Sequence, residues 1–126
     1  MIKIIINEEC RTKKNSSRIV VAGNRKMLLP SKQYLEFEKA CKPYLKPLKI
    51  DFAINLKCIF YMKTRRKVDL PNLLNSICDV LVKHQVITDD NKDIVAGFDG
   101  SRVKYDKENP RIEIKMEKLW QIKLNY

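Results

Sequence analysis

The chain has a single histidine, His84, and four cysteines, at 10, 41, 58 and 78, that form no CxxC pair. That poverty of ligands argues against a zinc site. No apolar run approaches the roughly 20 residues that a membrane span requires. The opening MIKIII is too short for the apolar region of a signal peptide, and nothing like a cleavage site follows it. No repeat, low-complexity stretch or linker divides the chain. The expectation is one domain over residues 1–126, cytoplasmic, with no membrane partner and its cysteines kept as reduced thiols. Cys58 and Cys78 fall in apolar patterns and are expected in the core.

Acids are scarce in the first half. Residues 1–68 hold 17 Lys/Arg against 5 Asp/Glu, while residues 69–126 hold 9 against 10. The whole carries +11, with 44% hydrophobic and 33% charged residues, so the chain is expected to be folded and to favour a polyanion such as nucleic acid. Within the more acidic half, five aspartates fall between 69 and 93: Asp69, Asp79, Asp89, Asp90 and Asp93. A basic body with an acidic pocket suits a metal-dependent enzyme acting on phosphates. Cations attract the backbone, and carboxylates hold Mg²⁺ against the scissile group.

Periodicity places these residues. Ile2–Ile6 reads as a strand. Residues 7–18 are polar and read as a surface loop that does not pack. Ile19–Ala22 and Lys26–Leu29 flank Gly23-Asn24, a hairpin signal. Ser31 is the expected N-cap of a helix over 32–42. Residues 48–62 alternate, putting Ile50, Phe52, Ile54, Leu56, Cys58 and Phe60 on one buried face. Thr64–Lys67 is a basic turn. Leu70–Lys83 has apolar residues at 70, 73, 74, 77, 78, 81 and 82, a helix stripe, with Pro71 in the first turn. Thr88–Asn91 is a turn. Ile94–Phe98 and Ile112–Met116 read as strands joined by a polar loop, 99–110. The fold class is α+β, a mixed sheet covered by two main helices.

On the 70–83 helix, Asn72, Asn75, Asp79 and Lys83 share the face opposite the stripe. Taken singly, Asp69 is equally well explained as an N-cap, while Asp89-Asp90 reads better as a polar turn and Asp79 as a solvated side chain. Together they make an acid at a helix mouth, an amide and an acid along one face, and an acid pair beyond its end. His84, at the helix end, is expected to be structural.

The stretch KVDLPNLLNSICDVLVKHQVITDD resembles the signature of RusA-type Holliday-junction resolvases, which are endodeoxyribonucleases. Asp69 matches the first aspartate of that signature and Asn72-Leu73 its Asn-Leu. Asp79 and Leu81 match the helical Asp-x-Leu, and Asp89-Asp90 the closing pair. KKNSSR and LLPSKQYLEFEK, nearer the N-terminus, resemble phage-type members. Pro71 stands where the family has a second catalytic aspartate, and Asn75 where it has a lysine. Asp93 or Asp89 is the candidate to replace that carboxylate, and Lys92 that cation.

The resemblance implies resolution of four-way junctions by paired symmetric nicks, with Mg²⁺ (Mn²⁺ as substitute) and a homodimer acting on branched DNA. The expected catalytic residues are Asp69, Asp89 and Asp90. Asp69 and Asp90 are expected as metal ligands, completed by Asp89 or Asp79, with Asn72 and Asn75 orienting the shell. Lys13, Lys14, Arg18, Arg65, Arg66, Lys67 and Arg102 are the expected DNA contacts. The alternatives are a non-catalytic nucleic-acid-binding protein and a phage debranching nuclease. Glu113-Ile114-Lys115 also fits an acid–lysine pattern of restriction-type nucleases, but IEIKMEK has the ordinary alternation of an edge strand.

Overall fold

The computed structural model describes residues 1–13, 18–29 and 31–119. Its order is β1 (Ile2–Ile6), β2 (Arg18–Ala22), β3 (Arg25–Leu29), α1 (Lys32–Ala40), β4 (Ile54–Met62), α2 (Leu70–Lys83), β5 (Val95–Gly97), β6 (Arg102–Tyr105) and β7 (Arg111–Lys118). A 3₁₀ turn at Lys42–Tyr44 follows α1. Five strands form a mixed sheet, with β1 beside β7, β7 beside β4, and both β5 and β6 on the far side of β4. The β1–β7 and β7–β4 pairs are antiparallel, whereas β5 and β6 run parallel to β4. The α+β expectation with two main helices therefore holds.

Alternation makes the sheet one-sided. Ile54, Leu56, Cys58, Phe60 and Met62 are buried, as are Ile112, Ile114 and Met116 opposite them. Helix α2 lays Leu73, Ile77 and Leu81, each 0% exposed, into the same core. Complete burial of such a side chain is worth about 1.5–3 kcal/mol, so this stripe fixes the rotation of α2 and leaves 72, 75 and 79 facing out. Ser31 caps α1 as expected, its Oγ accepting from the Tyr34 N–H at 3.1 Å. Gly23 has φ 63°, the left-handed backbone that the β2–β3 turn needs.

Helix α2 ends in a Schellman motif. The Gln85 N–H donates to the Val82 carbonyl at 3.0 Å and the Val86 N–H to the Leu81 carbonyl at 2.9 Å. Gln85 takes φ 59° there, a position that usually holds glycine. The chain then leads to the turn bearing Asp89 and Asp90.

Five expectations need correction. The strand expected over 48–62 starts at Ile54, because only Ile50 bridges, to Ile87, before the chain breaks at 51–53. Phe52 is consequently exposed rather than buried, with the Lys118 ammonium 4.7 Å from its ring. The loop expected over 99–110 contains β6, an all-exposed edge strand without apolar alternation. β7 is not an edge strand but lies between β1 and β4. The segment 7–13 packs: Cys10 is 3% exposed, and Cys41 joins Cys58 and Cys78 in the core.

β4 has a short gap between its two parallel neighbours. The Ser101 hydroxyl fills it, accepting from the Cys58 N–H at 3.0 Å and donating to the Leu56 carbonyl at 3.3 Å. No described helix is long and apolar enough to cross a membrane.

Candidate active site

The outward face of α2 forms the floor of a cleft of about 290 Å³, lined by Lys13, Asn72, Asn75, Ser76, Asp79 and Asp90. Three elements build it. The stripe of α2 aims Asn72, Asn75 and Asp79 outward. The turn after the helix brings Asp90 back beside them. The segment 10–13 closes the third side, pinned along α2 by two hydrogen bonds to the Cys10–Arg11 stretch. Ser76 Oγ donates a short hydrogen bond to the Arg11 carbonyl, and Cys10 Sγ lies 3.9 Å from the Leu73 carbonyl it donates to.

This pinning delivers Lys13. Its ammonium stands 3.1 Å from Asp79 Oδ2 and 5.1 Å from the centre of the Tyr34 ring. Lys13 and Asp79 are 44% and 41% exposed. An ion pair so open to water contributes only about 0–1 kcal/mol, so Asp79 can exchange Lys13 for another cation at little cost. Tyr34 is buried beneath, its hydroxyl without a hydrogen-bond partner among the described residues. Burial first, then the Glu38 and Asp79 charges, push its pKa up.

Asp69 occupies the N-cap position of α2, and its carbonyl accepts from the N–H groups of Asn72 and Leu73. Its carboxylate makes no capping bond and instead accepts from Asn72 Nδ2 at 3.3 Å. So the N-cap reading holds for its backbone and not for its side chain. Asp69 reaches the cleft through Asn72 rather than lining it.

Asp89 is turned into its own loop, accepting from the Asp90 N–H at 2.7 Å and Asn91 Nδ2 at 3.1 Å. Those bonds, the Asp90 N–H foremost, hold its carboxyl below the usual value. Asp93 and Lys92 pair with each other at 3.0 Å, largely in solvent, and neither lines the cleft. The cation found in the cleft is Lys13.

No group of three His, Cys, Asp or Glu among the described residues is arranged to hold a metal. The cleft instead offers two carboxylates, two amide oxygens and a hydroxyl. That is a hard-oxygen set of the kind Mg²⁺ takes, which uses one or two carboxylates and completes its shell with water and substrate phosphate. The donor chemistry therefore fits such an ion, while a closed protein cage does not exist there.

The expected DNA contacts separate. The Arg65 guanidinium stacks 4.1 Å from the Tyr105 ring. Arg66 lines a small groove with Arg11, Thr12 and Val68, beside the segment that carries Lys13. Lys67 is exposed. Arg102 pairs in register with Ile59 and so points to the face of the sheet away from the helices. Lys14 lies outside the described residues, and Arg18 is described only as the first residue of β2. His84 accepts its expected structural role, its Nε2 lying 2.9 Å from the Glu38 carbonyl. Glu113 is taken up by Arg111 at 2.7 Å, also on the open face of the sheet, far from forming a site with Asp79.

All four thiols are free and buried. Burial pushes Cys10, Cys41 and Cys78 up to about 12, so they stay protonated and inert. Ser76 escaped the sequence reading. The only signal for it was a small hydroxyl at the border of an apolar stripe, where another segment can approach closely.

A comparison with curated proteins finds no match. The family model for endodeoxyribonuclease RusA matches residues 11–117, a stretch that begins at the segment pinned on α2 and runs through β7. A match over that much of the chain, including every residue of the cleft, means that the protein belongs to the RusA family of endodeoxyribonucleases.

Proposed function

We propose that this protein resolves Holliday junctions by paired symmetric nicks, with Mg²⁺ (or Mn²⁺ in its place) and as a two-fold homodimer in the cytoplasm. The observation that carries the reading is the placement of Asp79 and Asp90 in one cleft with Lys13 beside them. Asp79 and Asp90 would hold the divalent ion, with the amides of Asn72 and Asn75 as further oxygen donors. When bound, that ion supplies polarisation of the scissile phosphodiester and an activated water for in-line attack.

The chain's own groups do the rest. Asp69 holds the Asn72 amide and thereby fixes which way its oxygen faces. Asp89 fastens the turn that presents Asp90. Lys13, once displaced from Asp79, is a cation within the cleft that can face the transferring phosphate and offset its developing charge. Arg65, Arg66 and Lys67 lie just before α2 and would hold the adjoining backbone. A four-way junction needs two matched nicks, and two sites related by a two-fold axis are the simplest way to make them.

The test is a labelled synthetic four-way junction incubated with Mg²⁺, with Mn²⁺ and with EDTA. Symmetric nicks in opposing strands that vanish in EDTA are expected. Tight junction binding with no cleavage under either ion would overturn the enzymatic reading and leave a binding protein, for which Pro71 and Asn75 are the best support.

A further inference from the structure

We propose that the face of the main sheet turned away from the helices is a second nucleic-acid surface, built around the row Lys3–Lys115–Lys57 to take the phosphate backbone of duplex DNA. Register makes the row. Lys3 of β1 lies directly opposite Lys115 of β7, and Lys115 directly opposite Lys57 of β4. Directly opposed side chains across antiparallel strands have Cβ atoms about 4.5–5.5 Å apart, and like charges there destabilise the sheet. Three lysines in line across three neighbouring strands are therefore an arrangement that folding alone disfavours.

The acids nearby are too few to offset them. None of the three has an ion-pair partner among the described residues. Of the two acids that flank Lys115 on β7, Glu113 is occupied by Arg111, which also bonds Asp106, and Glu117, opposite Asn55, makes no ion pair among the described residues. Arg102 and Lys104 of β6 extend the same face, paired with Ile59 and Tyr61 of β4. Outside the Arg111–Glu113 pair, five cations face Asp99 and Glu117.

The face is also shaped. Two grooves, of about 510 and 200 Å³, meet along Lys57, Gly100 and Lys115. Gly100 has φ 86°, and a Cβ there would stand 3.1 Å from Lys57 Cδ and Cε, so the Lys57 stem is laid across bare backbone. The Asn55 side chain fixes that turn, accepting from the Asp99 N–H at 2.8 Å and donating to the Asp99 carbonyl at 3.1 Å. A second copy of the chain docking here through the same face would bring two lysine rows together, so charge complementarity selects a polyanion. The smaller groove, with Lys57, Arg102, Lys104 and Lys115 along its walls against Glu113, suits a strand of phosphates better than the plane of a membrane.

The inference stands apart from the cleft, which lies on the helix side of the sheet. The experiment is anisotropy titration of a linear duplex across a KCl series in EDTA, with the parent, K57Q, K115Q and the triple variant K3Q/K57Q/K115Q. The triple variant should bind roughly tenfold or more weakly. Its log–log salt slope should be shallower by about two to three units, and each single variant's by about one. Its thermal midpoint should stay level or rise, because the like-charge contacts are gone. A parent that binds duplex with a slope the variants share would overturn this surface and leave the junction reading intact. A parent that binds neither duplex nor junction would overturn both. Lysine-dependent adhesion to phosphatidylserine vesicles with an unchanged duplex slope would assign the face to membranes instead.

Discussion

Replacing Ser76 by alanine removes one hydroxyl and tests how the cleft is assembled. Ser76 is 3% exposed, and its Oγ donates to the Arg11 carbonyl. Loss of such a bond costs about 1 kcal/mol net, and more if the carbonyl it leaves cannot reach water. Arg11 is half-buried, so a total of about 1–2 kcal/mol is expected. Unfolding entropy near 2.1 cal/mol/K per residue gives about 260 cal/mol/K for 126 residues. The midpoint should therefore fall by about 4–8 °C in calorimetry. Because the same bond sets Lys13 over the cleft, amide exchange at residues 11–13 should accelerate by more than global destabilisation explains. Junction cleavage should fall while residual binding through the rest of the surface persists. An unchanged midpoint together with unchanged exchange at 11–13 would refute the claim that Ser76 anchors this segment.

Three further outcomes follow from the same structure. Asp90→Asn should lower cleavage at least about 100-fold, the upper range seen when even an outer-shell group is lost, while junction binding is kept or tightened as an acid facing phosphate is neutralised; normal cutting would make Asp90 a turn residue only. Gln85→Gly should stabilise the fold by about 0.5–1 kcal/mol, since relief of a left-handed side-chain clash worth about 1–2 kcal/mol exceeds glycine's extra chain entropy, and urea titration with an unchanged m-value would measure it. Asp106 is held below the usual carboxyl value mainly by Arg111. A depressed folded value contributes stability that is present above the unfolded value, about 3.9, and is lost as pH falls through the folded one. Arg111→Met should accordingly flatten the stability loss on acidification below about pH 4, and a pH series of thermal midpoints that still runs parallel to the parent's would contradict the assignment.

Much of the architecture was legible because burial writes period into sequence. The α2 stripe is repeated often enough to fix both ends of that helix, and Gly23-Asn24 announces its hairpin chemically. β6 left no trace, because Arg102–Tyr105 is held by parallel backbone pairing to β4 and buries no face. Ile50 and Phe52 kept the alternation of β4 going in sequence, yet the chain leaves the sheet between them and Ile54. At the site, the aspartates could be picked out by type and spacing, but not sorted. Which of two adjacent acids faces the cleft depends on a turn, and there Asp89 spends its carboxylate on the Asp90 N–H. The cleft cation was beyond periodicity altogether. Lys13 arrives from some sixty residues upstream through a hydrogen bond from Ser76, a long-range contact that no local pattern encodes.

The pairing of β1 with β7 also has a consequence for the order of events during synthesis. Ile2 lies opposite Met116 and Ile6 opposite Ile112. A ribosome adding about 5–20 residues per second makes β1 several seconds or more before its partner exists. Helix α2 and the β4 strand can meet in the meantime, since they are close in sequence. β1 itself, rich in isoleucine, must wait unpaired until β7 emerges and then take the last place in the sheet. Closing so distant a contact makes slow final docking the expected rate-limiting step. A nascent chain stalled before β7 should therefore be the species most in need of a chaperone.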